Sequence, residues 1–235
     1  MVPNPLQGNG SEGKAARLLD VHQRLLAAYG PQGWWPGGAG PFEVCVGAIL
    51  TQSAAWTNVE MALARMRAAE VLSLDGLHRT PVEALAQIIR PSGYFNAKAR
   101  KLKAFATHVH HGHGGDLAAM LTRPMEGLRP ELLAVHGIGE ETADDIVLYA
   151  AHQPSFVVDA FTRRILTRLG LAPPVDRYES YRALFMDALP EDTALYQEYH
   201  ALLVRLAKEA CAKRAPRCGG CPLRDICPTR REWAA

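Results

Sequence analysis

The C-terminal part of this 235-residue chain carries four cysteines within seventeen residues. They are Cys211, Cys218, Cys221 and Cys227. The six, two and five residues between them include Gly219, Gly220 and Pro222, which let the chain curl around one centre. Four thiolates are a complete ligand set for zinc or for a cubane iron–sulfur cluster, and the ligand count does not choose between these two. The fifth cysteine, Cys45, lies in an apolar segment and is expected to be a buried small hydrophobic residue.

A second pattern is a two-glycine turn, Gly137-Ile138-Gly139, followed at once by a helix-forming segment that includes Thr142. Glycine can adopt positive φ and approach another surface closely, and Ile138 is expected to anchor the turn in the core. The unpaired N–H groups of the following helix then point outward beside the glycine amides, where a phosphate binds favourably. This pattern predicts contact with a nucleic-acid backbone without base reading, and a simple helix connection is the alternative.

A single carboxylate, Asp159, follows the apolar segment 155–158 and is expected to be largely buried. A carboxylate in this position either caps the helix predicted from Ala160 or performs acid–base and electrostatic chemistry. The residues alone leave both interpretations open.

The composition, 48% hydrophobic and 21% charged, predicts a substantial core in one large or two small domains. Because the net charge is only +2, affinity for nucleic acid must come from local basic patches. One patch is residues 98–103, which we interpret as a solvated helix face; another is the C-terminal region 205–231.

The chain has no run of 18 apolar residues, and its first residues lack the basic start and apolar core of a signal peptide. We therefore expect a soluble, intracellular, cytoplasmic protein with no membrane partner. Five cysteines in a reducing compartment favour a metal site over disulfides.

The elements that must position these residues are all predicted to be helices, about ten in number, giving an all-α fold. The segment from Thr80 to Glu83 has the pattern of a capping box. Asn96 is predicted to cap a basic helix that ends near His110. Among glycines, His110, His111 and His113 are interpreted as a hydrated loop rather than a metal cluster. The predicted helical ranges are 14–29, 42–51, 58–70, 80–89, 96–110, the two helices around the glycine turn, 160–169, 178–188 and 192–210.

Together, the glycine turn, the aspartate about twenty residues later and the six-two-five cysteine spacing resemble the endonuclease III-like, helix–hairpin–helix DNA glycosylases of base excision repair. The resemblance extends from about residue 18 to 228. It implies that the cysteines hold a [4Fe–4S] cluster rather than zinc, in a structural or DNA-sensing role. It also implies a six-helix barrel over 41–153 carrying the hairpin, and a second helical domain, 14–40 plus 154–235, with the substrate cleft between the two domains. The composition of residues 1–13, rich in Pro, Gly and Asn, predicts a flexible tail.

The resemblance makes Asp159 the catalytic carboxylate, which would stabilise positive charge on the sugar and orient or deprotonate water. At Glu141 this chain differs from the bifunctional members of the resembled family. Bifunctional members carry a lysine there, in Gly-x-Gly-Arg-Lys-Thr-Ala, and its amine attacks the sugar to form a Schiff base. This chain has Gly-Ile-Gly-Glu-Glu-Thr-Ala, and a carboxylate cannot form an imine, so we expect weak or absent abasic-site lyase activity.

The Gly-Ile-Gly-x-Glu-x-Ala-Asp pattern, with Val-Val-Asp, Trp-Trp-Pro and Leu-Thr-Gln, is most similar to the 3-methyladenine DNA glycosylase branch. That branch is monofunctional and removes an alkylated purine. By this resemblance, Trp34, Trp35 and Trp56 contact the extruded base, which the affinity of a tryptophan face for a cationic purine supports. Gln52 would fill the space left by the flipped nucleotide, although solvation of a loop explains it equally well.

The expected partner is double-stranded DNA with a damaged base, bound by a monomer. Two alternatives remain from the sequence. One is a bifunctional oxidised-pyrimidine glycosylase and lyase with a displaced amine, for which Lys208 is a candidate. The other is a non-catalytic protein that binds DNA lesions.

Overall fold

The computed structural model of the protein describes residues 11–34 and 40–233. These residues form twelve α-helices, joined by short 3₁₀ turns and one π-helical turn, and contain no strand. The all-helical prediction is confirmed. None of the described helices combines the length and the apolar character needed to cross a membrane.

The chain divides into two compact units, residues 35–153 and residues 1–34 with 154–235. In the unit of residues 35–153, the helices α2 to α9 are Pro41–Thr51, Trp56–Ala68, Leu74–Arg79, Val82–Ile88, Phe95–His113, Leu117–Leu121, Met125–Ala134 and Glu140–Asp145. In the other unit, α1, α10, α11 and α12 are Ser11–Tyr29, Ala160–Leu169, Tyr178–Met186 and Thr193–Glu209. Helix α1 begins at Ser11, before the predicted start at Lys14, and the rest of the predicted tail lies outside the described residues.

Helix α2 is the centre of the unit formed by residues 35–153. Every residue from Val44 to Leu50 is buried, and α2 packs against α3, α6, α9 and the π-helical turn Ile146–Ala150. A helix that is apolar on all sides must be surrounded by other elements, as α2 is here. Cys45 is fully buried there, as predicted, and burial raises the pKa of its thiol.

The unit of residues 1–34 and 154–235 is built around a cluster of aromatic rings. Phe156 and Phe185 stack with ring centroids 3.7 Å apart, and Tyr196 and Tyr199 meet Phe156 edge-on. The buried Tyr199 hydroxyl donates to the Leu18 carbonyl at 2.8 Å, which ties α12 to α1. Such paired rings stabilise a core beyond the area they bury, and they hold the segment that leads to Asp159 against α12, which precedes the cysteines.

Two predicted helix starts are wrong. The Thr80 hydroxyl donates back to the Gly76 carbonyl at 2.6 Å and terminates α4, so it does not cap α5. Helix α6 begins at Phe95 after Tyr94, whose backbone is left-handed with φ 46°, and Asn96 lies within the helix. The first error arises because a hydroxyl can serve either neighbouring element.

The histidine-rich segment is also not a loop. Helix α6 continues through His113 and ends at Gly114, which has φ +60°. The buried Val109 holds this last part of the helix against the core.

In the basic segment 98–103 Arg100 is exposed, but the lysines do not form a solvated face. Lys98 is 2% exposed, and its ammonium donates to the carbonyls of Leu50 at 2.8 Å and Ser92 at 2.6 Å. Burial, with a smaller effect of Lys101, lowers the pKa of Lys98 to about 8. Lys103 likewise donates to carbonyls at the end of α4. These lysines satisfy the unpaired carbonyls at the ends of neighbouring helices.

Candidate functional site

The glycine turn connects α8 to α9, and α9 continues directly into the π-helical turn. Gly137 has φ +86°, whereas Gly139 has φ −96° and ψ −178°, so only the first glycine uses the left-handed region. Ile138 is 5% exposed and anchors the turn in the core, as the sequence predicts. Gly139 is exposed, and this leaves the backbone ahead of α9 open to solvent.

Gln52, at the C-terminal end of α2, is bonded to this turn. Its amide nitrogen donates to the Gly137 carbonyl at 3.1 Å and to the Thr142 hydroxyl at 2.8 Å. Its amide oxygen accepts a hydrogen bond from the Lys101 ammonium. The structure thus brings together Gln52, Gly137 and Thr142, and Thr142 is buried with its hydroxyl turned inward. The Ile138 amide is used within the turn itself, where it donates to the Val135 carbonyl at 3.1 Å.

A buried ion pair fixes the two helices on either side of the turn. Arg129 on α8 donates to both carboxylate oxygens of Asp144 on α9, at 2.8 and 3.0 Å. The Asp144 side chain is fully buried. Bidentate geometry of this kind holds the approach angle of two helices, although its net contribution to stability is small.

We predict that Gly137→Ala destabilises the protein by about 2–5 kcal/mol, because roughly 1–2 comes from the left-handed backbone and about 1–3 from overpacking. A Cβ at this position would lie 2.3 Å from Lys101 Cγ and 2.7 Å from its Cδ. Gly139→Ala is the matched control, since a Cβ there meets nothing within 4 Å. Urea denaturation measures both variants, and equal midpoints would show that the turn tolerates a side chain at Gly137.

Asp159 is the N-cap of α10. Its Oδ1 accepts a hydrogen bond from the Thr162 amide at 2.6 Å, and its side chain is 15% exposed. His200 Nε2 on α12 lies 3.8 Å from the other oxygen, Oδ2. Burial alone would raise the pKa of this carboxyl, but His200 and Thr162 outweigh it, and the pKa of Asp159 is lowered. A capped, ionised carboxylate that still reaches solvent is suited to stabilising positive charge.

Trp34 lies beside the same histidine. The rings of Trp34 and His200 have centroids 5.6 Å apart and are tilted by 46°. The segment before Trp34 is held to α12, because the amides of Gln32 and Gly33 donate to the Glu198 carboxylate at 2.6 and 3.4 Å. His200 therefore connects a predicted base-contact residue with the predicted catalytic carboxylate.

The remaining predicted site residues are spread over both units. Trp35 lies outside the described residues, and Trp56 is the half-buried first residue of α3. Glu141 is exposed in the first turn of α9, next to Glu140. Lys208 is exposed near the end of α12 and lines a cavity of about 230 Å³ together with Trp34.

The four cysteines follow α12 and are all partly buried. Burial, with added effects of the other three thiols, raises the pKa of Cys221. Arg168 on α10 donates to Cys211 Sγ at 3.1 Å and to the Ala212 carbonyl at 2.9 Å. A guanidinium beside a thiolate offsets part of the negative charge that four such ligands bring together.

Comparison with known proteins places this arrangement in a family. Residues 46–191 match the profile of the HhH-GPD superfamily of base excision DNA repair proteins. A Methanocaldococcus jannaschii protein assigned to the DNA repair glycosylases is 38% identical over 217 residues, which cover 92% of this chain and 98% of the relative. The chain belongs to the HhH-GPD superfamily. It is thus a member of the DNA glycosylases of base excision repair.

Solved structures of other HhH-GPD proteins have the same fold. The Helicobacter pylori 3-methyladenine DNA glycosylase MagIII, bound to 1,N6-ethenoadenine, is 25% identical and has a TM-score of 0.70 over 84% of this chain and 97% of its own. Endonuclease III in a trapped covalent DNA complex is 21% identical with a TM-score of 0.81, over 93% of this chain and 97% of its own. The endonuclease III-like resemblance inferred from the sequence is confirmed.

Sequence reasoning missed three residues of this HhH-GPD chain. His200 has no local signal, because it lies among buried leucines of α12. Lys101 was grouped with solvated lysines although it contacts Gln52 and Gly137. Tyr94 is 74% exposed despite its large ring and left-handed backbone, a combination that is uncommon away from functional surfaces.

Proposed function

We propose that the protein is a monofunctional DNA glycosylase that hydrolyses the N-glycosidic bond of a flipped, alkylated purine. The observation that carries this proposal is the position of Asp159, an ionised N-cap beside His200, whose ring lies next to Trp34. In the first turn of α9, Glu141 stands where bifunctional enzymes have the lysine that forms the Schiff base. The match of residues 46–191 to the superfamily supports the reaction class. The 25% identity to a 3-methyladenine glycosylase structure supports the substrate class.

In the proposed reaction the C1′–N bond of the damaged nucleotide breaks, and its electron pair leaves with the base. The Asp159 carboxylate stabilises the positive charge that develops on the sugar and orients a water molecule, whose oxygen bonds to C1′ while its proton passes to the carboxylate. His200 is a positioning residue for Asp159, since its Nε2 lies 3.8 Å from Oδ2. The product is an intact abasic site.

The DNA backbone is proposed to bind at Gly137, Ile138 and Gly139, through the exposed backbone that leads into α9, in a turn that Gln52 and Thr142 hold rigid. This role belongs to the proposed barrel domain, residues 41–153. The exposed ring of Tyr94 in the same unit offers an apolar wedge for opening a base step. The predicted wedge Gln52 would have to give up its hydrogen bonds to Gly137, Thr142 and Lys101 to enter the duplex.

Trp34, Trp35 and Trp56 are proposed to contact the extruded base. An alkylated purine is cationic, and an indole face attracts such a ring by stacking and cation–π interaction. Of these three, Trp34 lies beside His200.

The experiment that tests the proposed function uses duplexes with an alkylated purine or an oxidised pyrimidine, analysed with and without hot alkali. We expect breaks only after alkali and only in the alkylated duplex. Breaks without alkali would mean that an amine such as Lys208 forms a Schiff base, and the protein would be a bifunctional lyase. If both duplexes are bound but stay intact, the chain is a lesion-binding protein without catalysis.

We further propose that Cys211, Cys218, Cys221 and Cys227 hold a [4Fe–4S] cluster with a structural role. The six-two-five spacing of these cysteines supports this proposal, because endonuclease III-like relatives typically carry such a cluster. Iron and acid-labile sulfide analysis of purified protein is expected to give about four of each per chain, and one zinc without iron would contradict the proposal.

A further inference from the structure

Three potential metal ligands meet between α6 and α8, in the unit of residues 35–153. They are His108 and His113, on the last turns of α6, and Glu131 on α8. His108 Nε2 lies 2.7 Å and His113 Nε2 lies 2.5 Å from the same carboxylate oxygen, Glu131 Oε1. All three candidate ligand atoms lie within 4.8 Å of one another, which no other group of three such residues achieves in the described part of the chain.

The donor set is suited to a late transition metal ion. Two imidazoles and one carboxylate are a common ligand set for zinc, and they leave a fourth position for water. Zinc bonds of about 2.0–2.1 Å in a tetrahedron place ligand atoms about 3.3 Å apart. The nitrogen–oxygen distances of 2.7 and 2.5 Å are shorter than this, so the side chains must move apart by roughly 0.6–0.8 Å to admit the ion.

The surroundings hold the carboxylate in a suitable orientation. Arg123 donates to the second oxygen, Glu131 Oε2, and leaves Oε1 facing the imidazoles. Hydrogen bonding of the non-ligating oxygen is typical of carboxylates in metal sites. The three side chains are 29%, 12% and 14% exposed, in the order His108, His113 and Glu131, so the site is shielded but open to an ion from solvent.

We propose that His108, His113 and Glu131 form a binding site for a divalent late transition metal ion of the zinc class, separate from the cysteine cluster. None of its ligands is a cysteine, and all three belong to the unit of residues 35–153, whereas the four cysteines belong to the other unit. Because α8 is the first helix of the hairpin motif, an ion here fastens that helix to α6, the helix whose Lys101 packs on Gly137. The alternative is a hydrogen-bonded His–Glu–His contact that binds no ion.

Neighbouring histidines do not belong to the site and serve as controls. His110 faces another way, with its ring 4.2 Å from that of His78 and its Nε2 3.5 Å from Asp75. His111 is exposed on the same turn of α6 and is not one of the three ligands. His111→Ala therefore removes one imidazole from this end of α6 without touching the proposed site.

Equilibrium dialysis of the purified, cluster-containing protein against zinc at pH 7.5, where ordinary imidazole is neutral, tests the proposal. We expect the parent and His111→Ala to bind one more zinc per chain than His113→Ala and Glu131→Gln. The loss of a ligand should weaken this site at least ~10-fold, the lower limit seen even for outer-shell partners. Zinc should raise the melting temperature of the parent and of His111→Ala only.

Two results would overturn the proposal: no zinc bound by the parent beyond that of Glu131→Gln, or equal zinc binding by all variants. The cysteine site is the same in every protein compared, so zinc bound there cancels in the comparison. Glu131→Gln keeps the shape of the side chain and one acceptor oxygen, which can still accept from Arg123, so it decides the question even where His113→Ala unfolds.

Discussion

Asp159→Asn is expected to slow release of the damaged base by about 10²–10⁴-fold, the range typical of a lost acid–base or charge-stabilising group. Asparagine can still accept the hydrogen bond from the Thr162 amide, so the helix α10 keeps its cap. The variant removes the negative charge that would stabilise the sugar cation, and little else. Single-turnover base release from an alkylated duplex measures the effect, with duplex affinity as the second readout.

Two controls separate chemistry from capping. Asp192→Asn makes the same change at the N-cap of α12, where the carboxylate accepts from the Ala194 and Leu195 amides at 2.8 and 3.1 Å. It should leave base release unchanged. Asp159→Ala should lose about 0.5–2 kcal/mol of stability in addition to activity. Parent-like base release by Asp159→Asn would exclude Asp159 from the reaction and reduce it to a helix cap.

The lowered pKa of Asp159 also sets the direction of its pH dependence. Because the folded pKa lies below the ordinary value near 3.9, the charge contributes stability above that value, which is lost as the pH falls through the folded pKa. Between pH 5 and pH 8 the carboxylate stays ionised. Its own titration should therefore produce no change in the base-release rate across this window.

The hydrophobic pattern predicted the helices well because each of them buries a face against its neighbours. Helix α2 was expected at 42–51 and occupies Pro41–Thr51, and α10 was expected at 160–169 and occupies Ala160–Leu169. Local periodicity is enough in such cases. The sequence also predicts the glycine turn with Ile138 as its anchor in the core, and Ile138 is buried.

Residues whose partners lie far along the chain could not be predicted in the same way. Lys98 looks like a surface lysine in sequence, and only the fold brings the Leu50 carbonyl, 48 residues away, within 2.8 Å of its ammonium. His113 and Glu131 are 18 residues apart and belong to different helices. Such contacts depend on helix packing, which the spacing of residues within one helix does not encode.

Glu141→Lys is expected to produce a borohydride-trapped protein–DNA adduct that the parent protein does not form. The position lies in the first turn of α9 and is exposed. The positive end of a helix disfavours a second positive charge, which lowers the pKa of a lysine placed there and leaves part of it as the free amine. That amine can attack C1′ as the base leaves, and borohydride then reduces the resulting imine to a stable secondary amine.

Glu140→Lys is the matched control for this gain of activity. It makes the same change of charge in the same turn, so it should raise general affinity for DNA equally. Its side chain leaves the helix about 100° away from that of Glu141, because an α-helix has 3.6 residues per turn. An adduct formed by Glu141→Lys and not by Glu140→Lys would show that the side chain at position 141 faces the sugar and that its carboxylate is what keeps the parent monofunctional. Equal adducts from both variants would mean that any amine on this turn reaches the sugar, and an adduct from the parent would transfer the role to an existing amine such as Lys208.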